Sequence, residues 1–397
     1  MRSSSYPLRQ LASQPSVVLL MIVLAGGTTC ALTALARDTG RTLRVGPERE
    51  LQTPAAAAAV ARDGDRIEVD AGAYPGDVAV WTQRDLRLVA VGGRVELFAA
   101  GQAAEAKGIW VVRAEGFEVR GFDFIGAQVP DRNGAGIRLE QGSLLVQDCL
   151  FRNNENGILT GNDASLRLTV RDSEFAFNGA GDGLSHHLYA GNIARLEVSG
   201  SYFHHALIGH LLKSRAQVND IRYNRLTDET GGRASYELNL PNGGLAYVIG
   251  NIIQQTASTE NPNLISYGEE GYRWPRNALY LVNNTLIDER RGGSLLRVAS
   301  GSVELTAVNN LLAANRSLDA SASGTFRNNT VIVPAELVSP ATADYRLKRH
   351  SRLRGSAVQL PAQDGVPLMP QGEYRHPHHW VALKGPARQP GALQSLE

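Results

Sequence analysis

Cysteine is nearly absent from this chain, which excludes a small fold held together by a network of disulfides. Among 397 residues there are two cysteines, Cys30 and Cys149. Cys30 lies in an N-terminal segment that we expect to be removed. The mature chain would then keep one cysteine and could form no internal disulfide. Its stability must come from packing.

Methionine and aromatic residues are also scarce, and this argues against a helical bundle. The chain has 3 methionines and 6% aromatic residues, against 41 glycines. That balance favours a β protein rich in turns. The length alone allows one to three domains.

No excess of one charge exists. Lysine and arginine number 40, aspartate and glutamate 39, and the formal net charge is +1. The composition therefore carries no nucleic-acid footprint and no field to steer a distant anionic partner. Any basic site must be a local cluster.

Long hydrophobic runs are absent except near the N-terminus. There, Arg2 and Arg9 precede the apolar run "SVVLLMIVLAGG", and Ala34-Leu35-Ala36 follows as a small-x-small cleavage pattern. We predict a signal peptide over residues 1–36, cleaved after Ala36, and export to the periplasm or the medium. An uncleaved anchor and a lipoprotein acylated at Cys30 are the alternatives. No other segment is apolar enough to span a membrane.

One motif recurs through most of the mature chain, as in "LTVRDSEF", "YLVNNTLI" and "TAVNNLLA". Apolar residues flank a turn residue, and successive turns lie about 19 to 33 residues apart, which is the range of stacking repeats. The turn positions are Gly121, Asp148, Asp172, Gly200, Asn224, Asn251, Asn284, Asn310 and Asn329.

This unit predicts an all-β fold, a single-stranded right-handed parallel β-helix of about 9–11 coils. It is too short for a strand–helix–strand crossover, and the L-x-x-L-x-L pattern of leucine-rich repeats is missing. We expect the asparagines to accept a left-handed turn and to form an inward ladder. Residues 37–333 would form the solenoid, with "ELQTPAAAAAVARDGD" as a helical cap. Residues 334–397 would pack along its outside as an extended segment.

Several segments resemble known families. "GDRIEVDAGAYPGDV", the coil repeat and the terminal "DYRL" and "PGALQ" resemble the pectate-lyase-like superfamily over nearly all of the mature chain. "HHLYAG", "GHLLKSRA" and "YELNLPNGG" resemble bacterial right-handed β-helix repeat proteins. The resemblance implies action on a polysaccharide by lyase, hydrolase or epimerase chemistry, and the fold alone does not choose among them.

Strand alternation predicts one chemical face on consecutive coils. With Leu188, Leu212 and Leu238 inside, their sequence neighbours point outward. The predicted ladder is His187, Tyr189, Lys213, Arg215, Glu237 and Asn239, continued by Tyr267 and by Glu269 or Glu270. We add His210 as a catalytic candidate, and Arg233 and Trp274 as substrate-binding candidates. Adjacent histidines point to opposite faces, so we expect no metal at His186–His187.

Lys213 is the predicted base of a β-elimination. A partly buried lysine beside Arg215 loses proton affinity and can remove the proton next to a uronate carboxylate. Arg215 with a histidine would stabilise the anion, and Tyr189 or His187 would protonate the leaving oxygen. The partner would be an anionic polysaccharide, bound as the substrate, and we expect the enzyme to be a monomer.

The stretch "LLKSRAQVNDIRYN" resembles the catalytic-lysine coil of the chondroitinase B and alginate lyase family, at Lys213-Ser214, Asn219 and Asn224. Pro241 stands where that family has an arginine, and Arg233 is the nearest arginine. "HALIGH" replaces the calcium-binding carboxylates, so we expect no cofactor, and calcium would lack its usual ligands.

Three other functions remain open. A glycoside hydrolase would use Glu237 paired with Asp182, Glu269 or Glu270. A C5-epimerase would share the proton abstraction without cleavage. A non-catalytic exopolysaccharide-binding protein would stack sugars on Tyr189, Tyr267 and Trp274.

Overall fold

The computed structural model describes residues 40–314, 318 and 323–395; the predicted signal peptide and its cleavage site lie outside this part of the chain. The described residues form a right-handed parallel β-helix of about 10 turns, which confirms the predicted fold. No helix in this part of the chain is long and apolar enough to cross a membrane.

The strands and helices have the following bounds. In chain order they are β1 (Thr42–Val45), α1 (Pro54–Ala58), β2 (Arg66–Pro75), β3 (Ala79–Trp81), β4 (Arg87–Phe98), β5 (Gly108–Arg120), β6 (Phe122–Ile125), β7 (Ala135–Gln147), β8 (Leu150–Arg152), β9 (Asn156–Thr160), β10 (Arg167–Arg171), β11 (Glu174–Ala176), β12 (Leu188–Ala190), β13 (Arg195–Ser199), β14 (Tyr202–His204), β15 (Leu212–Ser214) and β16 (Val218–Arg222). They continue as β17 (Arg225–Thr227), β18 (Leu238–Leu240), β19 (Leu245–Ile249), β20 (Ile252–Gln255), β21 (Asn263–Tyr267), β22 (Ala278–Val282), β23 (Thr285–Asp288), β24 (Ser294–Val298), β25 (Glu304–Val308), β26 (Leu311–Ala313), β27 (Thr325–Arg327), β28 (Thr330–Val331), β29 (Leu337–Ser339), β30 (Asp344–Leu347), β31 (Gly372–Arg375) and β32 (His379–Ala382). Two short 3-10 helices span Pro334–Glu336 and Pro340–Thr342.

Each coil contributes to three parallel ladders, which we name sheets I, II and III in the order that the chain visits them. In the central coils, β10, β13, β16 and β19 pair in sheet I. Strands β11, β14, β17 and β20 pair in sheet II. Strands β9, β12, β15, β18 and β21 pair in sheet III. The long strands β2, β4, β5 and β7 each run through two sheets.

Identical positions on successive coils stack inside the solenoid. Phe124, Phe151, Phe175 and Phe203 form one stack in sheet II, with ring centroids 5.0, 4.8 and 4.5 Å apart. All four rings are buried, and the parallel register brings each above the last. The apolar repeat thus becomes a continuous core.

The turn between sheets I and II divides the predicted role of asparagine between two neighbouring positions. One position has a left-handed backbone; it holds Gly121, Asp148, Asp172, Gly200, Tyr223, Gly250, Asn283, Asn309 and Asn328. The next position forms the inward ladder of Asn224, Asn251, Asn284, Asn310 and Asn329. Each ladder side chain accepts from the backbone N–H of the coil before it. The ladder is as expected, but its asparagines are not the left-handed residues.

The ends and the outside are covered as follows. Helix α1 begins after Thr53, whose hydroxyl accepts from Ala56 N–H at 3.2 Å, and it buries Ala57 against the core. The chain after Val333 packs on the outside of sheets I and II and includes two antiparallel hairpins. There Tyr345 donates to Gln254 at 2.7 Å, and both side chains help to close the outer surface.

Candidate functional site

Three consecutive strands of sheet III place Tyr189, Lys213 and Asn239 at one register position. Neighbouring strands lie about 4.8 Å apart, so these side chains form a column on the outer face. We name this set the outer column. The residues one position earlier, at the start of β12, β15 and β18, are leucines buried in the core.

Lys213 is partly withdrawn from water at the centre of the outer column. Its side chain is 14% exposed, and Nζ lies 5.4 Å from the ring centroid of Tyr189 and 3.8 Å from Glu270 Oε1. Burial, followed by the positive charge of Arg215, lowers the pKa of Lys213, while Glu270 opposes this shift. The lysine is therefore closer to losing its proton than an exposed one.

Arg215 follows β15 and holds the site together. Its Nε donates to the Tyr189 hydroxyl at 2.9 Å, and its Nη1 donates to Asn242 Oδ1 at 2.6 Å. The guanidinium also donates hydrogen bonds to both oxygens of the Glu270 carboxylate. The Trp274 indole N–H donates to the Arg215 carbonyl at 3.0 Å, which places this tryptophan at the edge of the site.

A second column, formed by His186, His210 and Tyr236, runs beside the first. The two imidazoles stack at 4.4 Å, and the Tyr236 ring meets His210 edge-on at 5.1 Å. The backbone N–H of His210 donates to the ring Nδ1 of His186 at 3.0 Å, whereas the ring Nδ1 of His210 is buried without a partner. Burial and the nearby charge of Lys213 lower the pKa of His210 to about 3, and burial also lowers that of His186.

These shifts correct the expected role of the histidines. At neutral pH both rings are uncharged, so they do not neutralise a substrate carboxylate. Lys213 and Arg215 are the cations of this face. His210 can instead offer a neutral ring nitrogen for hydrogen bonding.

His187 was predicted to face outward, and this is wrong. The side chain is fully buried, with its Nδ1 3.0 Å from Asn178 Nδ2 and its Nε2 2.8 Å from the His204 carbonyl. Burial lowers its pKa to about 3. Strand β12 begins only at Leu188, so His187 lies in the bend before it, where strand alternation does not apply.

Glu237 was also predicted to face outward, and it too is buried, for the same reason. It precedes β18 and turns inward beside Thr259, whose hydroxyl lies 3.5 Å from its Oε1. Burial raises the pKa of Glu237, and the nearby Asp228 raises it further. The residue before it, Tyr236, points outward instead and donates to Glu269 at 2.7 Å.

Tyr267 does not join the outer column either. It pairs in register with Leu240, an inward position, and is fully buried with its hydroxyl donating to the Gly244 carbonyl. The residue of β21 that continues the outer column is Ser266, whose hydroxyl is buried without a partner.

The other predicted residues lie at the margin or away from the site. Glu269 pairs with Arg297 at 2.9 Å and is 19% exposed. Arg233 is 58% exposed and lies 3.7 Å from Glu260; it makes no contact with the outer column.

Glu270 was predicted only as an alternative to Glu269, and Asn242 was not predicted. Asn242 lies in the turn after β18, where it binds Arg215 and donates to the Gly271 carbonyl at 3.2 Å. The "PNGG" turn that contains it was the available signal.

The donors around the site do not fit a calcium ion. Calcium needs several free oxygen ligands. The two nearby carboxylates, Glu269 and Glu270, are engaged with arginine and tyrosine partners. Within residues 40–314, 318 and 323–395, no group of three or more histidine, cysteine, aspartate or glutamate side chains is placed to hold a metal. We therefore derive no step through calcium.

Comparisons with known proteins identify the fold. No family model matches the chain. No curated protein matches it either. Among solved structures it is similar to the crystal structure of pectate lyase Pel9A, with a TM-score of 0.52 and 13% identity, over 83% of this chain and 95% of that one. At that identity the likeness concerns the fold alone: this chain has the pectate-lyase-like parallel β-helix fold.

Proposed function

We propose that this protein is a polysaccharide lyase that cleaves an acidic polysaccharide by β-elimination. The observation that carries the proposal is the partly buried Lys213, held beside Arg215 and Tyr189 on the outer face of the solenoid. The fold adds support, because the solved structure that it resembles is that of a pectate lyase.

The three groups divide the reaction as follows. Neutral Lys213 takes the C5 proton of a uronate residue, and Arg215 stabilises the negative charge that develops on the carboxylate. The electron pair forms the C4–C5 double bond while the bond from C4 to the leaving oxygen breaks. Tyr189 accepts a hydrogen bond from Arg215 through its oxygen, so its own proton is free to pass to that leaving oxygen.

The geometry disfavours hydrolysis through Glu237. A glycosidase needs two carboxyl groups on opposite sides of the scissile bond. Glu237 is enclosed in the solenoid and cannot touch a polymer on the outer face. Epimerisation at C5 uses the same base as elimination and is distinguished only by its products. Non-catalytic binding through Tyr189 and Trp274 uses the same face.

The test mixes the purified protein with a panel of polyuronates and glycosaminoglycans and follows the ultraviolet absorbance of unsaturated uronate. We expect product with at least one polymer, and a loss of about 100- to 10,000-fold in kcat/KM for Lys213→Ala. Lys348→Ala, at an exposed lysine of the C-terminal segment, is the control and should keep full activity.

Other outcomes redirect the proposal. Solvent deuterium at C5 without cleavage would identify an epimerase. Binding without either product would leave a carbohydrate-binding protein. Full activity in Lys213→Ala would remove Lys213 as the base and overturn the mechanism.

We further propose that the protein is exported, since its substrate would be an extracellular polymer. The support is the N-terminal sequence pattern described above. Expression in a bacterial host followed by N-terminal sequencing tests it: the mature protein should begin at Arg37, and a retained N-terminus would contradict cleavage.

A further inference from the structure

The carboxylate of Glu270 lies where the side chains of Arg215 and Lys213 converge. Both of its oxygens accept from the guanidinium of Arg215, and Oε1 lies 3.8 Å from Lys213 Nζ. A planar guanidinium fork beside an ammonium group is the geometry that proteins use to recognise a carboxylate. Glu270 therefore shows, from within the chain, what chemical group this place accepts.

We propose that Arg215, beside Lys213, binds the carboxylate of a uronate, and that Glu270 fills this site in the free protein and leaves it when substrate binds. This inference rests on the proposed function, because it assigns the substrate carboxylate to the same face. Glu270 is then an internal competitor of the substrate.

Arg215 is fixed in place, whereas the Glu270 side chain can leave. Arg215 is anchored by Tyr189 and Asn242, and its side chain is 16% exposed. The Glu270 side chain is 47% exposed. An ion pair with one partner that is half in water is weak, because solvent and salt screen it.

The backbone around Glu270 indicates that the side chain moves rather than the loop. Glu270 N–H donates to the Pro241 carbonyl at 2.9 Å, and Gly271 N–H donates to the Gly268 carbonyl at 2.9 Å. Gly268 has a left-handed backbone, with φ of 83°, and a Cβ there would lie 2.5 Å from the Tyr272 ring. The turn is thus pinned, and rotation about the Glu270 side-chain bonds is the way out.

The neighbouring Glu269 provides a matched control. It has the same charge and lies in the same turn, but it binds Tyr236 and Arg297 and contacts neither cation of the site. Glu270→Gln and Glu269→Gln remove one negative charge each and change almost nothing in shape.

The experiment measures how fast Lys213 is acylated by a trace of an amine-reactive acylating reagent at several pH values. The reaction is run with and without millimolar glucuronate, and the modified peptide is quantified by mass spectrometry. In Glu270→Gln we expect glucuronate to slow Lys213 acylation at least fivefold. In the wild type and in Glu269→Gln we expect half-maximal protection to need at least fivefold more glucuronate, because Glu270 must first leave the site. Methyl glucoside, which lacks the carboxylate, should protect none of them.

An equal glucuronate concentration for half-maximal protection in the wild type and in Glu270→Gln, or protection in neither, would overturn the inference. Circular dichroism checks that the variants remain folded. The readout does not depend on turnover, so the two proposals can fail separately. Protection at a lower glucuronate concentration in Glu270→Gln, without lyase activity, would retain the carboxylate site and reject the lyase. Lyase activity without that difference would do the reverse.

Discussion

At the residue scale, the pKa of Lys213 determines the pH range in which a lyase of this kind would be active. The base must be neutral, so kcat/KM should rise with pH, with its midpoint below 10.5, the ordinary value for lysine. Glu270 favours the charged form of Lys213, so Glu270→Gln should move this rise to lower pH. A pH–rate profile measures both, with Glu269→Gln as the control. A rise centred at or above pH 10.5 would contradict the assignment.

A buried acidic pair gives a second prediction at this scale. Asp228 and Glu237 both approach the Thr259 hydroxyl, at 3.3 and 3.5 Å, and each keeps one buried oxygen without a partner. Burial raises the pKa of Asp228 to about 7 and raises that of Glu237 well above its ordinary value.

The sign of the pH dependence follows from these raised values. The pair does not weaken the fold below about pH 3, where both groups are protonated in the folded and the unfolded state. Stability is lost as the pH rises through the folded pKa, near 7 for Asp228. Asp228→Asn should therefore raise the free energy of unfolding by about 1–3 kcal/mol at pH 8 and by little at pH 4. Denaturant unfolding at the two pH values measures this, and exposed Asp131→Asn should show no such difference.

At the element scale, the asparagine ladder ties neighbouring coils together at the turn between sheets I and II. Asn284 Oδ1 accepts from both the backbone N–H and the side chain of Asn251, and its own Nδ2 donates to the Val248 carbonyl. All three residues are buried. Asn284→Ala would leave these groups without partners inside the protein.

We therefore expect Asn284→Ala to lower the free energy of unfolding by about 2–4 kcal/mol, since each buried polar group left unpaired costs about 1–3 kcal/mol. Asn133, which is half-exposed and bonds only to Asp131, is the control, and its change to alanine should cost under about 0.5 kcal/mol. Thermal unfolding compares the two. Equal costs would show that the ladder adds no stability of its own.

At the scale of the whole molecule, the chain after Val333 covers apolar side chains that the solenoid alone would expose. Tyr202, Ile252, Ile287 and Leu311 of sheet II form one buried cluster with Leu337, Tyr345, Leu347, Tyr374 and Ala392 of the C-terminal segment. The C-terminal segment therefore covers this apolar face of the solenoid and reduces the apolar surface that meets water.

Removal of residues 334–397 should lower the melting temperature and increase the binding of a hydrophobic dye. Leu347→Ala tests the same contact in the intact chain, with an expected loss of about 2–4 kcal/mol, since Leu347 is 2% exposed. Val333→Ala, at a side chain that is 61% exposed, should have little effect. A truncated protein as stable as the whole chain would show that the segment is dispensable.

The solenoid and most of its repeat could be predicted from the amino-acid sequence alone. Residues at equivalent places on successive coils must stack in register, so a core of phenylalanine and a ladder of asparagine appear as a period along the chain. Strand alternation also placed Tyr189, Lys213 and Asn239 on one face, because all three lie inside strands. The same rule failed at His187 and Glu237, one residue before their strands, where the bend turns each side chain inward.

The charge states of the site residues and their hydrogen-bond and ion-pair partners depend on the tertiary structure and could not be predicted from the sequence. The neutral histidines and the lowered pKa of Lys213 depend first on burial, and the ion pair of Arg215 with Glu270 joins residues 55 positions apart. A sequence records which groups are present, but desolvation and Coulomb interactions depend on distances through space, and these exist only once the coils are stacked.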